Sequence, residues 1–219
     1  MTSGRAKFNR KRSTDPKEEG MTKDEFLLRF NLSKPSSYDT QSLQRLAHFD
    51  QDVLRPAAVL IGLVERSNRL HVILTKRAAH LKHHPGQVSF PGGKYEQDDC
   101  LLSVTAVRET YEEVGIDPSL ITVAGALPPL PTLSQFAVTP YIAFIDPNYQ
   151  SKLDPNEVDE AFEVPAEFLF ARKNLASFHF QLKTVTHKVF AIPYQRHFIW
   201  GVTAQIIDAM QRQLTYLMD

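Results

Sequence analysis

Arg108-Glu109-Thr110-Tyr111-Glu112-Glu113-Val114-Gly115 decides how this 219-residue chain is read. The apolar spacing predicts a helix over Leu101–Val114, which Gly115 stops in the way glycine commonly ends helices. At about 100° per residue, Val104, Val107, Tyr111 and Val114 share one face, expected to meet the core, while Glu109, Glu112 and Glu113 share the opposite one. Carboxylates at i, i+3 and i+4 lie about 5–6 Å apart. At an effective dielectric of 20 each close pair repels by roughly 3 kcal/mol. A solvated acidic face has the same spacing and relieves that cost in water. A partly buried cluster needs a cation, and hard oxygen ligands suit Mg2+ or Mn2+. Arg108, one turn before Glu112, is placed to hold its carboxylate.

Outward from this helix, Pro91-Gly92-Gly93 marks a loop whose backbone can approach another group closely. Before it, strand-like runs at Ala57–Glu65 and Leu70–Lys76 are joined by Arg66, Ser67 and Asn68 as a hairpin, and a third run covers Gln87–Phe90. Thr22 and Glu25 form a capping-box pattern ahead of Phe26, Leu27 and Phe30, which predicts an earlier short helix. After the central helix, strands are expected at Ile121–Leu127, Val138–Phe144, Phe178–Leu182 and Val185–Pro193. A final helix is expected from about Val202 to Leu217, with Ile206, Ile207, Met210, Leu214 and Leu217 on its core stripe. A helix set between strand groups suggests an α/β or α+β sandwich and not an all-β barrel.

With 42% hydrophobic residues the chain is long enough for one well-buried core, so residues 21–219 are read as a single domain. Residues 1–20, rich in Arg and Lys, are read as a disordered basic tail. Lys plus Arg equals Asp plus Glu, 25 each. That balance supplies no overall field toward nucleic acid or an anionic membrane. No apolar run approaches the roughly 20 residues of a membrane span. The lone Cys100 excludes an internal disulfide and fits a reducing, cytoplasmic compartment. His80, His83 and His84 have a spacing that could present imidazoles for zinc, but Pro85 and Gly86 follow at once and favour a polar loop.

The motif around the acidic helix resembles the Nudix box, in Gly93, Arg108, Glu109, Glu112, Glu113, Gly115 and Ile116. It departs in having Asp99 where the first Glu is expected, in the eight residues between Asp99 and Arg108 where seven are usual, and in Thr110 at an apolar position. The stretch Leu74-Thr75-Lys76-Arg77-Ala78, then Lys82, Gly86 and Phe90-Pro91-Gly92-Gly93, is similar to the signature of the coenzyme A pyrophosphatase group, in which Arg is usual at Lys82. Near Ser134-Gln135-Phe136 that group commonly has Gly before the aromatic residue.

The resemblance implies an α+β fold, an α/β/α sandwich with a mixed β-sheet and flanking helices, and a Mg2+- or Mn2+-dependent hydrolase. Its substrate would be a small nucleotide diphosphate, coenzyme A or a derivative, split to 4′-phosphopantetheine and adenosine 3′,5′-bisphosphate. By position, Glu109, Glu112 and Glu113 would ligate the metal, Glu160 or Glu157 would act as base or extra ligand, and Arg77, Lys82, Gly92 and Gly93 would meet substrate. ADP-ribose, dinucleotides or nucleoside triphosphates are alternative substrates. A non-catalytic nucleotide sensor is a further alternative, though all three box carboxylates are present. Phe178, Phe180, Phe190, Tyr194, Phe198 and Trp200 could stack on adenine, although core packing is the commoner fate of such residues. Oligomeric state is left open by the sequence.

Overall fold

The computed structural model describes residues 20–35, 37–43, 54–182 and 185–215, so the basic tail, apart from Gly20, lies outside the described residues. The chain runs α1 (Lys23–Leu32), α2 (Thr40–Leu43), β1 (Arg55–Arg66), β2 (Arg69–Arg77), β3 (Val88–Ser89), β4 (Gly92–Lys94) and α3 (Leu102–Val114). It continues with β5 (Ile121–Ala126), β6 (Leu130–Pro131), β7 (Phe136–Ile145), β8 (Val158–Pro165), α4 (Ala166–Leu169), β9 (Ala176–Leu182), β10 (Val185–Tyr194), β11 (His197–Trp200) and α5 (Val202–Thr215). Among the described residues, no helix is long and apolar enough to cross a membrane.

The larger sheet is mixed, in the order β3-β2-β1-β7-β5, with β4 also paired to β1, β6 to β7 and β8 to β2. Its centre is the parallel β1–β7 pair, in register from Arg55↔Phe136 to Val64↔Ile145. β1 is a nearly continuous apolar run because both its faces are covered. Ala57, Ile61 and Leu63 point into a core shared with Phe26 and Phe30 of α1 and with Ile206, Ile207, Met210 and Leu214 of α5. Ala58, Leu60 and Val64 point the other way, against Ala106 and Val114 of α3. Helices thus flank both faces of one sheet. The smaller antiparallel sheet β11-β10-β9 packs against α5 and β3, and α5 is tied to the larger sheet by a hydrogen bond from Thr203 Oγ1 to the Val88 carbonyl at 3.0 Å.

Several expected elements are present with longer bounds, and α1 begins at an N-cap in which Thr22 accepts from the Glu25 N–H at 3.3 Å. Leu217, placed on the stripe of the last helix, lies outside the described residues. The facing expected for α3 needs correction. Val104 and Tyr111 are 44% and 53% exposed, whereas Thr105, Ala106, Thr110, Glu113 and Val114 are buried. The apolar stripe of the sequence is turned roughly a third of a turn from the face that meets the sheet. Thr110 serves at its apolar position because its hydroxyl donates to the Ala106 carbonyl at 2.7 Å, leaving no unpaired polar group.

The short β4 strand sets the glycines of the loop directly on β1, pairing Val59↔Gly92 and Ala58↔Gly93. A Cβ at Gly92 would stand 2.3 Å from the Ala58 carbonyl oxygen, and at Gly93 it would stand 2.3 Å from Oε1 of Glu109. The first clash is with backbone and cannot be relieved by a side-chain rotation. Gly92→Ala is therefore expected to destabilise the protein by about 2 kcal/mol or more. A melting temperature within a degree of the wild type would show that β4 has more room than this packing allows.

Candidate active site

Arg108 organises the site because every one of its N–H groups is engaged. Its Nε donates to Asp99 Oδ1 at 2.7 Å and one Nη to Asp99 Oδ2 at 3.0 Å and to the Lys94 carbonyl at 3.1 Å. The other Nη donates to Glu109 Oε1 at 3.1 Å and to Glu112 Oε2 at 2.8 Å. A guanidinium with all five donors used fixes the carboxylates it touches. Asp99 is itself almost wholly buried and also accepts from Thr105 Oγ1 at 2.8 Å and from the Glu96 N–H at 2.9 Å. The Arg108 hydrogen bonds hold its carboxyl well below the usual carboxylate range, with the Glu96 and Thr105 bonds adding to them. With its oxygens committed in this way Asp99 supports Arg108 and is not free to ligate. The additional residue before the helix is taken up at Cys100, whose φ of 56° turns the chain from a short 3-10 turn into α3.

Glu109 and Glu113 lie one turn apart on the side of α3 that faces β4, not on a fully solvated face. Glu113 is only 4% exposed, and its Oε2 has no hydrogen-bond partner among the described residues. Its pKa is pushed up to about 8, first by burial and then by the charges of Glu109 and Glu157; Arg77 and a hydrogen bond from the Gly92 N–H oppose that rise. Glu109 is raised as well, by burial first, with Glu112 and Glu157 adding and Arg108 opposing. Glu112 is half exposed and stays on the Arg108 fork. The buried oxygen of Glu113, beside two further carboxylates, has the donor chemistry of a hard divalent cation. Among the described residues, no three His, Cys, Asp or Glu side chains already stand in chelating geometry, since Arg108 occupies oxygens of Glu109 and Glu112.

The structure brings Glu157 to this cluster and sends Glu160 elsewhere. The residues after Glu157, where no strand was expected, form β8, whose Ala161 packs on the α3 side. Alternation turns Glu160 and Phe162 to the opposite face. Glu160 Oε1 there accepts from Arg196 Nη2 at 2.5 Å and lies 3.5 Å from His197 Nε2. Glu157, just ahead of the strand, is held by the Ala78 N–H on its carbonyl at 2.9 Å, and its charge acts on both Glu109 and Glu113.

Arg77 lies near Glu113, while Lys82 sits exposed on the loop after β2 together with His80, His83 and His84. That loop is tied down by Gly86 N–H to the Arg77 carbonyl at 3.1 Å and by Ala79 N–H to Asp159 Oδ2 at 3.2 Å. Of the aromatic group, Phe190 is buried, but Phe178, Phe198 and Trp200 are 54%, 52% and 44% exposed. Gln135, at the position where Gly is common, takes φ 62°, a conformation glycine adopts freely.

The model of the NUDIX domain matches residues 53–184. Curated relatives include the uncharacterized Nudix hydrolase NudL of Enterobacter sp. (strain 638), 37% identical over 89% of this chain and 95% of that protein. NudL of Citrobacter koseri, likewise described as an uncharacterized Nudix hydrolase, is 36% identical over the same shares. Among solved structures, a Nudix hydrolase from M. smegmatis, RenU, aligns at 20% identity and a TM-score of 0.45, covering 52% of this chain and 72% of that one.

The raised Glu113 carboxyl carries a stability signature. Its folded pKa exceeds its unfolded value, so folding takes up a proton once the pH passes the ordinary carboxylate range. In chelator-treated protein, stability is expected to fall from that range up to about pH 8 and then level. Glu113→Gln is expected to remove most of this slope in urea titrations at several pH values. An unchanged slope in the variant would show that Glu113 is solvated as an ordinary carboxylate.

Proposed function

We propose, starting from the fact that the chain belongs to the Nudix hydrolase family, that it hydrolyses the diphosphate bond of coenzyme A or its derivatives, giving 4′-phosphopantetheine and adenosine 3′,5′-bisphosphate. The observation that carries the hydrolase reading is the buried, unpartnered Oε2 of Glu113 beside Glu109 and Glu157. The substrate assignment is supported by the coenzyme A signature spanning Leu74 to Gly93, which forms the end of β2, the tethered loop, β3 and the start of β4.

Glu109 and Glu113, with Glu112 at the exposed edge, would hold Mg2+ (or Mn2+). When bound, the ion supplies charge neutralisation for the diphosphate and lowers the pKa of a coordinated water. Arg108 keeps Glu109 and Glu112 aimed, and Asp99 keeps Arg108 from swinging away. Gly92 and Gly93 bring β4 against the carboxylates without side chains that would displace them. Arg77 is the cation beside the cluster suited to a phosphate oxygen by a two-pronged bond, and Lys82 offers a point charge from its exposed side chain. Glu157, facing the cluster from outside the helix, takes the proton of the attacking water in this scheme, the role Glu160 is turned away from.

A panel of coenzyme A, ADP-ribose, a dinucleoside polyphosphate and a nucleoside triphosphate with Mg2+, read by product mass, tests the substrate. Coenzyme A is expected to turn over fastest. ADP-ribose turning over while coenzyme A is untouched would overturn the assignment. Glu113→Gln is expected to lower the rate by roughly 100-fold or more with the fold retained, since a transition-state electrostatic contact is lost. Retained activity would contradict the role given to this residue.

A further inference from the structure

We propose that Arg196, held at the β10–β11 turn by Glu160, binds the 3′-phosphate on the ribose of the substrate and so selects coenzyme A over diphosphates that lack that group. The inference rests on the coenzyme A reading above and adds the residue that discriminates.

Arg196 is 76% exposed, and apart from its bond to Glu160 its remaining N–H groups meet no acceptor among the described residues. A surface ion pair of this kind is worth at most about 1 kcal/mol, so stability alone is a weak reason for fixing a long side chain there. The turn that carries it is nonetheless stiff. Tyr194 and His197 are cross-strand partners closing a two-residue turn, and Gln195 takes φ 51°. The next residue, His197, is buried and stacks face to face on Phe162, with ring centroids 3.8 Å apart and planes 7° from parallel. Phe162 in turn packs against the core. The backbone next to Arg196 is thus held on β8 through the His197–Phe162 stack.

The position suits a second phosphate. Glu160 is three residues along β8 from Glu157, a rise of about 10 Å, and its side chain emerges on the face opposite α3. A diphosphate at the carboxylate cluster sits at the end of β2 and β8. In the proposed complex a phosphate carried on the ribose, a few bonds further along the molecule, would extend round that strand end to the Arg196 side. Lys76 stands opposite Glu160 in the β2–β8 ladder, so two cations face one carboxylate and the patch is net positive. Glu160 takes a bond from one Nη only, so the remaining N–H groups of the planar guanidinium are left to grip a dianionic phosphate while the tether stays in place.

The test compares coenzyme A with 3′-dephospho-coenzyme A at fixed Mg2+, in wild type, Arg196→Ala and Glu160→Gln. Wild type is expected to favour coenzyme A in kcat/KM by roughly 10- to 100-fold, the range of one charge-assisted contact. In Arg196→Ala that ratio is expected to collapse toward one. Glu160→Gln, in which Arg196 loses its tether but remains, is expected to give an intermediate ratio, a readout that simple loss of fold does not move. Equal turnover of both compounds by wild type, or an Arg196→Ala ratio as large as that of wild type, overturns this inference and leaves the diphosphatase reading intact. Turnover of neither compound, with ADP-ribose hydrolysed, overturns both.

Discussion

Burial of Glu113 against the Gly92–Gly93 edge strand is the constraint on which the rest depends. A carboxylate removed from water and left with one oxygen unpartnered is costly, and groups in that position ordinarily neutralise by holding a proton. Here the pKa is pushed up to about 8, and the neighbouring charges of Glu109 and Glu157 work in the same direction as burial. A sequence selected for stability alone would place an apolar residue there, as it does at Ala106 and Val114 on the same helix. In the proposal made above, the acid is retained at that cost in stability because it binds a cation.

The surrounding structure keeps that arrangement from relaxing. Asp99 and Arg108 form a nearly buried, fully hydrogen-bonded pair that ties the 3-10 turn, β4 and α3 together. Pairing of β4 with β1 fixes the height of the glycines over the helix. On the other side, strand alternation turns the adjacent Lys76 and Arg77 to opposite faces of the sheet, Lys76 opposite Glu160 and Arg77 toward Glu113. The same strand end thus presents carboxylates and Arg77 toward α3, and Lys76, Glu160 and Arg196 toward the smaller sheet.

Much of this was legible in the residues. The hairpin of β1 and β2, the central helix, the terminal helix and the stop at Gly115 all follow from apolar period and capping. The family followed from the box itself, since Arg108, Glu109, Glu112, Glu113 and Gly115 match in order. The facing of α3 was not legible, because Val104, Val107, Tyr111 and Val114 form a coherent stripe that is more apolar than the one actually buried. Periodicity reports that a face exists; it does not weigh a buried Glu held for its chemistry against an exposed Tyr. No strand was expected at β8, where Asp159, Glu160 and Glu163 interrupt the apolar residues, although in the fold Glu163 is satisfied by Arg66 at 2.7 Å and by the Tyr149 hydroxyl at 2.8 Å. Neither partner is near it in sequence. The choice between Glu157 and Glu160 likewise depended on strand alternation that only the fold reveals.

The account stands most directly on whether a cation enters between the buried carboxylates. Anomalous diffraction from crystals equilibrated with manganese addresses that point. The expected result is a peak within bonding distance of both Glu109 and Glu113, with the Glu113 Oε2 among its ligands. At saturating metal, a peak confined to exposed acids such as Glu112, or none near α3, would contradict it.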